Sequence, residues 1–166
     1  MRKTFMLSAV IIAVPLSLPA ATPQITAHDL QQQVHKRGAH AVMRGLSPRE
    51  FDTIVRHAAA GDVAWLAAAA QLRSGTDGAN SEGIDFAFSR ALATNPSEVL
   101  RQIRLQPRMT LPWICRDRSI EPDAREVKHF TAQAIAALRQ VKGREFEPER
   151  DRCISLLKQA SEVAAR

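Results

Sequence analysis

A chain of 166 residues, 45% apolar and 24% charged, has the balance of one globular domain. That composition excludes a disordered or fibrous chain, and a formal charge of +6 is too modest to mark a nucleic-acid binder. Aromatic residues make up 5% and Tyr is absent, so Ala and Leu must fill the core, and both favour helix over sheet.

The chain opens with Arg2 and Lys3, followed by an apolar run through Met6, Leu7, Ala9, Val10, Ile11, Ile12, Ala13 and Val14. Pro15 and Pro19 break the run, and Ala20 and Ala21 are small enough for a cleavage site. This order predicts a secretory signal peptide over residues 1–21 and one mature helical domain over residues 22–166. The run spans about 14 residues, short of the ~20 that cross a bilayer. An uncleaved anchor is the competing reading, because Leu18 and Pro19 make an imperfect cleavage site. The expected location is the bacterial periplasm or the outside medium, with no membrane contact after cleavage and no nucleic-acid partner. Loss of Arg2 and Lys3 takes the formal charge from +6 to +4.

Two cysteines remain, Cys115 and Cys153. In an oxidising compartment such a pair predicts a disulfide. Closing a loop of about 38 residues stabilises a fold by roughly 4 kcal/mol in the chain-entropy model. Two buried thiols or a redox pair are the alternatives, although redox pairs usually sit as C-x-x-C.

Helical spacing begins near Asp29 with Leu30, Val34, Ala41 and Val42, and Gly38 predicts a bend or partial order within it. Ser47-Pro48-Arg49-Glu50 is a helix start of the capping-box type. Phe51, Ile54, Val55 and Ala58 follow as one buried stripe, Gly61 ends that helix and Asp62 caps the next. The helix predicted over residues 63–72 is apolar nearly all round, from Trp65 through four successive alanines to Leu72, and is expected at the centre. Residues 74–81 read as a polar, Gly-containing loop, and a helix is expected from Glu82 to about Ala93. Asn95-Pro96-Ser97-Glu98 starts another helix, which Pro107 stops. Residues 109–120 lack helical period and read as an extended segment held by the disulfide. Pro122 is expected to open a long helix ending at Gly143, and Pro148 the last one, with Cys153 facing inward. The expected fold is all-α, a compact bundle of six or seven short helices with one disulfide.

Catalytic signatures are scarce. His28, His35, His40, His57 and His129 show no i, i+3 or i, i+4 pair, so neither a metal nor any other cofactor is predicted. No G-x-S-x-G occurs. Arg116 and Arg118 beside Cys115 would activate a free thiol, but a bridged sulfur is no nucleophile. The loop from Asp77 through Asn80 to Glu82 carries oxygen ligands yet fails the EF-hand pattern, and a turn leading into a helix explains it. Glu145, Glu147 and Glu149 suit a helix N-terminus better than an acid–base pair.

The densest basic region holds Arg101, Arg104, Arg108, Arg116, Arg118 and Arg125, with Trp113 among them. Arg and Trp anchor many protein interfaces. Trp113, Arg116 and Arg118 are therefore candidate partner-binding residues. The alternative is a Trp packed over the disulfide, with the arginines in solvent.

The stretch over residues 61–100 ends in Ala91-Leu92-x-x-Asn95-Pro96-x-x-Val99-Leu100, and Ile114-Cys115 follows it. It resembles small exported all-helical bacterial proteins, including the immunity proteins against type VI secretion amidase effectors. The resemblance covers about a quarter of the chain and rests on helix caps and apolar stripes. It implies a periplasmic inhibitor of a cell-wall hydrolase toxin, acting as a homodimer that pushes a loop into the toxin's catalytic cleft. The candidate inserting residues are Ser74, Thr76, Asp77, Asn80 and Glu82, in the polar loop between two helices. An envelope scaffold holding an anionic partner through the arginines is the alternative expectation, and an enzyme without recognisable motifs is the third.

Overall fold

The computed structural model describes residues 25–118 and 123–164. The expected signal peptide and Pro122 lie outside the described residues. The elements in order are α1 (Ala27–Arg37), α2 (Ala39–Met43), α3 (Pro48–Ala59), α4 (Val63–Arg73), α5 (Gly78–Ala91), α6 (Pro96–Leu105), α7 (Leu111–Ile114) and α8 (Ala124–Leu138). A 3-10 turn (Arg144–Phe146) then leads into α9 (Glu147–Ala164). The fold is all-α, with no strand among the described residues.

Helix starts follow local chemistry. Ser47 accepts from the Glu50 backbone while the Glu50 carboxylate accepts from the Ser47 backbone, closing the capping box of α3. Asp62 caps α4 by accepting from the Ala64 and Trp65 N–H groups. The Asn95 side chain caps α6 and also donates to the Gly61 carbonyl at 2.9 Å, tying the α3–α4 corner to the α5–α6 corner. Asp123 and Glu126 form a second capping box at α8, a start that Pro122 had been expected to mark.

Gly38, at φ 80° and ψ 149°, makes the bend expected there by dividing the first helical stretch into α1 and α2. Two expectations are corrected. Helix α5 starts at Gly78 rather than Glu82, which shortens the predicted loop and places Asn80 on a helix. Residues 109–118 are not uniformly extended: α7 makes one helical turn, opened by Pro112 at a position where a missing N–H costs nothing.

Helix α4 lies at the centre, packed against α1, α2, α3, α5 and α6. Leu66, Ala68, Ala69, Ala70 and Leu72 are completely buried along it. Its small alanines leave room for close neighbours, while Leu66, Leu72, Ile54, Ile84 and Phe88 each contribute about 1.5–3 kcal/mol by burial. Helices α3 and α5 pack at Gly83, whose Cα hydrogen faces the Phe51 ring: a Cβ there would lie 3.1 Å from Phe51 Cε1. Helix α8 packs on α9 and α6. Cys115, just after α7, is bridged to Cys153 in α9 with a Cα separation of 5.2 Å, and both residues are buried. Among the described residues, no helix is long and apolar enough to cross a membrane.

Candidate functional site

The segment after α7 runs between α5 and α9. The disulfide fixes it on the α9 side, and on the α5 side the buried Ser89 hydroxyl donates to the Arg116 carbonyl. Held at both flanks, α7 and the segment after it present Trp113, Arg116 and Arg118 together. Trp113 is 51% exposed. The Arg116 guanidinium lies 4.7 Å and that of Arg118 5.1 Å from its ring centroid. Arginines stack on indole because a weakly hydrated planar cation meets the negative face of the ring. Two cations therefore share one half-exposed aromatic side chain, whereas the alternative expectation put the arginines in open solvent.

Three other arginines of the region have acceptors of their own. Arg101 pairs with the buried carboxylate of Glu98, which also accepts from Gln102. Arg104 reaches Glu149 at 3.5 Å and donates to the Glu145 carbonyl. Arg108 donates to the Ser74 carbonyl at 2.9 Å. Of the arginines the sequence grouped, Arg116 and Arg118 lie on Trp113, and Arg125 is exposed on α8.

Arg118 also joins the second set of candidates. Together with Ala79, Glu82, Gly83 and Phe86 it lines a pocket of about 330 Å³ at the N-terminal end of α5. Its Nε and Nη1 groups are enclosed and have no hydrogen-bond acceptor among the described residues. Burial pushes the Arg118 pKa down, Arg116 and Arg73 add to that, and Asp85 and Glu82 act in the opposite direction. Arginine remains charged throughout. Sequence spacing gave no sign that Glu82 and Arg118 share a pocket, since 36 residues separate them and only the bridged packing of α5 against the post-α7 segment joins them.

The remaining loop candidates divide. Ser74 and Asp77 are exposed, and Asn80 is exposed in the first turn of α5. Thr76 is buried, with its hydroxyl donating to the Arg73 carbonyl, so it holds the loop's shape and cannot reach a partner. The loop is anchored on both sides by the pair between Arg73 and Asp85.

Elsewhere, His57 stacks on Trp65 at 5.2 Å, and His28 and His35 line an open cleft on α1 with Gln31, Gln32, Lys36 and Gln71. No group of three or more His, Cys, Asp or Glu side chains among the described residues is placed to hold a metal ion. The structure and site define an all-α, disulfide-bridged chain with a basic, aromatic surface at Trp113. No protein-family model, curated protein or solved structure matches it.

Proposed function

We propose that this chain is an exported binding protein that engages a protein partner through Trp113, Arg116 and Arg118, with no reaction of its own. The observation that carries the reading is the half-exposed Trp113 bearing two guanidinium groups on its ring. An exposed indole supplies contact area, the arginines supply directional donors, and such residues dominate the energetics of protein interfaces. Arg118 also lines a pocket with Glu82 of α5, so a partner that reaches Arg118 meets Glu82 as well.

Within that role, inhibition of a cell-wall amidase in the periplasm is the finer proposal, supported by the predicted export and by the resemblance to immunity proteins. Co-expression with the product of the neighbouring gene, directed to the periplasm, tests it. Protection by the wild-type chain that Trp113→Ala abolishes supports the reading, and killing unaffected by the wild-type chain overturns it. The same guanidinium pair would serve an accessory subunit holding an anionic envelope polymer. Recovery of glycan rather than a hydrolase from periplasmic extract favours that alternative.

A further inference from the structure

The pocket beside Trp113 combines three features. Its wall is small and apolar, from Ala79, Gly83 and Phe86. It holds one cation, Arg118, whose enclosed Nε and Nη1 have no acceptor among the described residues. It also holds one acceptor, the Glu82 carboxylate, on the facing helix. At about 330 Å³ it lies at the lower end of the range that binds drug-sized ligands, so it suits a residue-sized group.

We infer that this pocket receives an acidic side chain, Asp or Glu, of the protein partner, its carboxylate on Arg118 and a neighbouring peptide N–H donated to Glu82. The inference rests on the partner-binding reading above and deepens it. Because Nε and Nη1 are enclosed, the carboxylate would meet the guanidinium at Nη2, its remaining donor nitrogen, as a charge-assisted contact. Stacking on Trp113 holds the guanidinium plane before the partner arrives, so less side-chain freedom is lost on binding. The methylene groups of the acid would lie on Phe86. Glu82 repels a bare anion and accepts from a peptide N–H, which favours a peptide-borne acid over a free inorganic one.

The test uses N-acetyl-glutamate methylamide as the probe, titrated into the bridged protein and followed by nitrogen-edited NMR. The expected result is saturable movement of the Trp113 indole and Gly83 amide signals. The glutamine analogue should produce none. Arg118→Gln should weaken binding about tenfold or more, while Arg125→Gln, on the exposed side of α8, should leave it unchanged. Arg118→Lys keeps the charge without the fork and should retain part of the affinity, which separates charge loss from local collapse. Equal binding of the glutamine analogue, or binding indifferent to both Arg118 variants, overturns the inference. Stronger Arg118-dependent binding of a galacturonate oligomer also overturns it, by assigning the pocket to a glycan. The titration needs no partner, so its failure leaves the wider surface to stand or fall on the co-expression experiment.

Discussion

The Arg73 guanidinium grips the Asp85 carboxylate with two hydrogen bonds, Nε to Oδ1 at 2.9 Å and Nη2 to Oδ2 at 3.2 Å. Arg73 is the last residue of α4 and Asp85 lies in the second turn of α5, so the pair straddles the short loop between them. Their side chains are 15% and 5% exposed, which makes this a largely desolvated pair with matched geometry. A loop held in this way is pre-shaped, and it fixes the start of α5, which carries Glu82 to Arg118.

Breaking that pair from one side should be costly. Asp85→Ala leaves the Arg73 cation mostly enclosed without its acceptor, and about 3 kcal/mol of stability should be lost in urea denaturation. Arg73→Met combined with Asp85→Leu should cost much less, because neither charge is then stranded. A single-variant loss below about 1 kcal/mol would place the pair with ordinary surface bridges.

Local chemistry was readable where one short stretch decides the outcome. Ser47, Asp62 and Asn95 each carry an oxygen that caps the following turn, and the structure uses all three. The apolar alanines of α4 foretold a central helix. The start of α5 was not readable, because Gly78, Asn80 and Ser81 have turn propensities. The site was half legible. Trp113, Arg116 and Arg118 stood out by type, but the departure of Arg101, Arg104 and Arg108 to other acceptors depends on contacts up to 41 residues apart.

Gly75 has a structural reason that its neighbours in the sequence conceal. A Cβ at this position would overlap the His40 nitrogen and the Ala39 carbonyl carbon of α2. Backbone atoms cannot swing aside as a side-chain end can. Gly75→Ala should therefore cost about 1–3 kcal/mol and lower the melting temperature. Gly45→Ala is the control: its Cβ would meet the Val42 carbonyl at 3.5 Å, an ordinary contact, and the change should stay within about 0.5 kcal/mol.

The capping box of α3 predicts a response to acid. The Glu50 carboxylate accepts from the Ser47 hydroxyl at 2.6 Å and the Ser47 N–H at 2.8 Å, and these bonds hold its pKa below the usual carboxylate range. A group whose pKa falls on folding stabilises the native state above its unfolded pKa, about 4.3 for glutamate. That contribution disappears as pH falls through the lower folded value. Ser47→Ala should cost about 1 kcal/mol at neutral pH. The difference between variant and wild type should narrow in acid, measured by denaturant midpoints from pH 7 down to pH 2.

The bridge from Cys115 to Cys153 acts chiefly on the unfolded chain, by closing a loop across a separation of 38 residues. Cys153→Ala should lower stability by about 4 kcal/mol, and reduction of the wild-type protein should lower it by a similar amount. Mass spectrometry of exported protein should find the two cysteine peptides linked without added oxidant. Peptides recovered with both thiols free would remove the covalent anchor from the segment that presents Trp113.

Trp113 separates folding from binding. Its indole is 51% exposed, so Trp113→Ala forfeits little burial and should shift stability by no more than about 1 kcal/mol. The same change removes the face that organises Arg116 and Arg118, leaving two long side chains free to reorient. An interface centred there should lose about 2 kcal/mol or more, roughly thirtyfold in Kd. Calorimetry of unfolding and titration against the purified partner read the two effects separately. Unchanged melting with a large rise in Kd identifies Trp113 as an anchor of the interface. A melting temperature that drops sharply while Kd holds steady would make it a structural residue, and the partner surface would then have to lie elsewhere on the molecule.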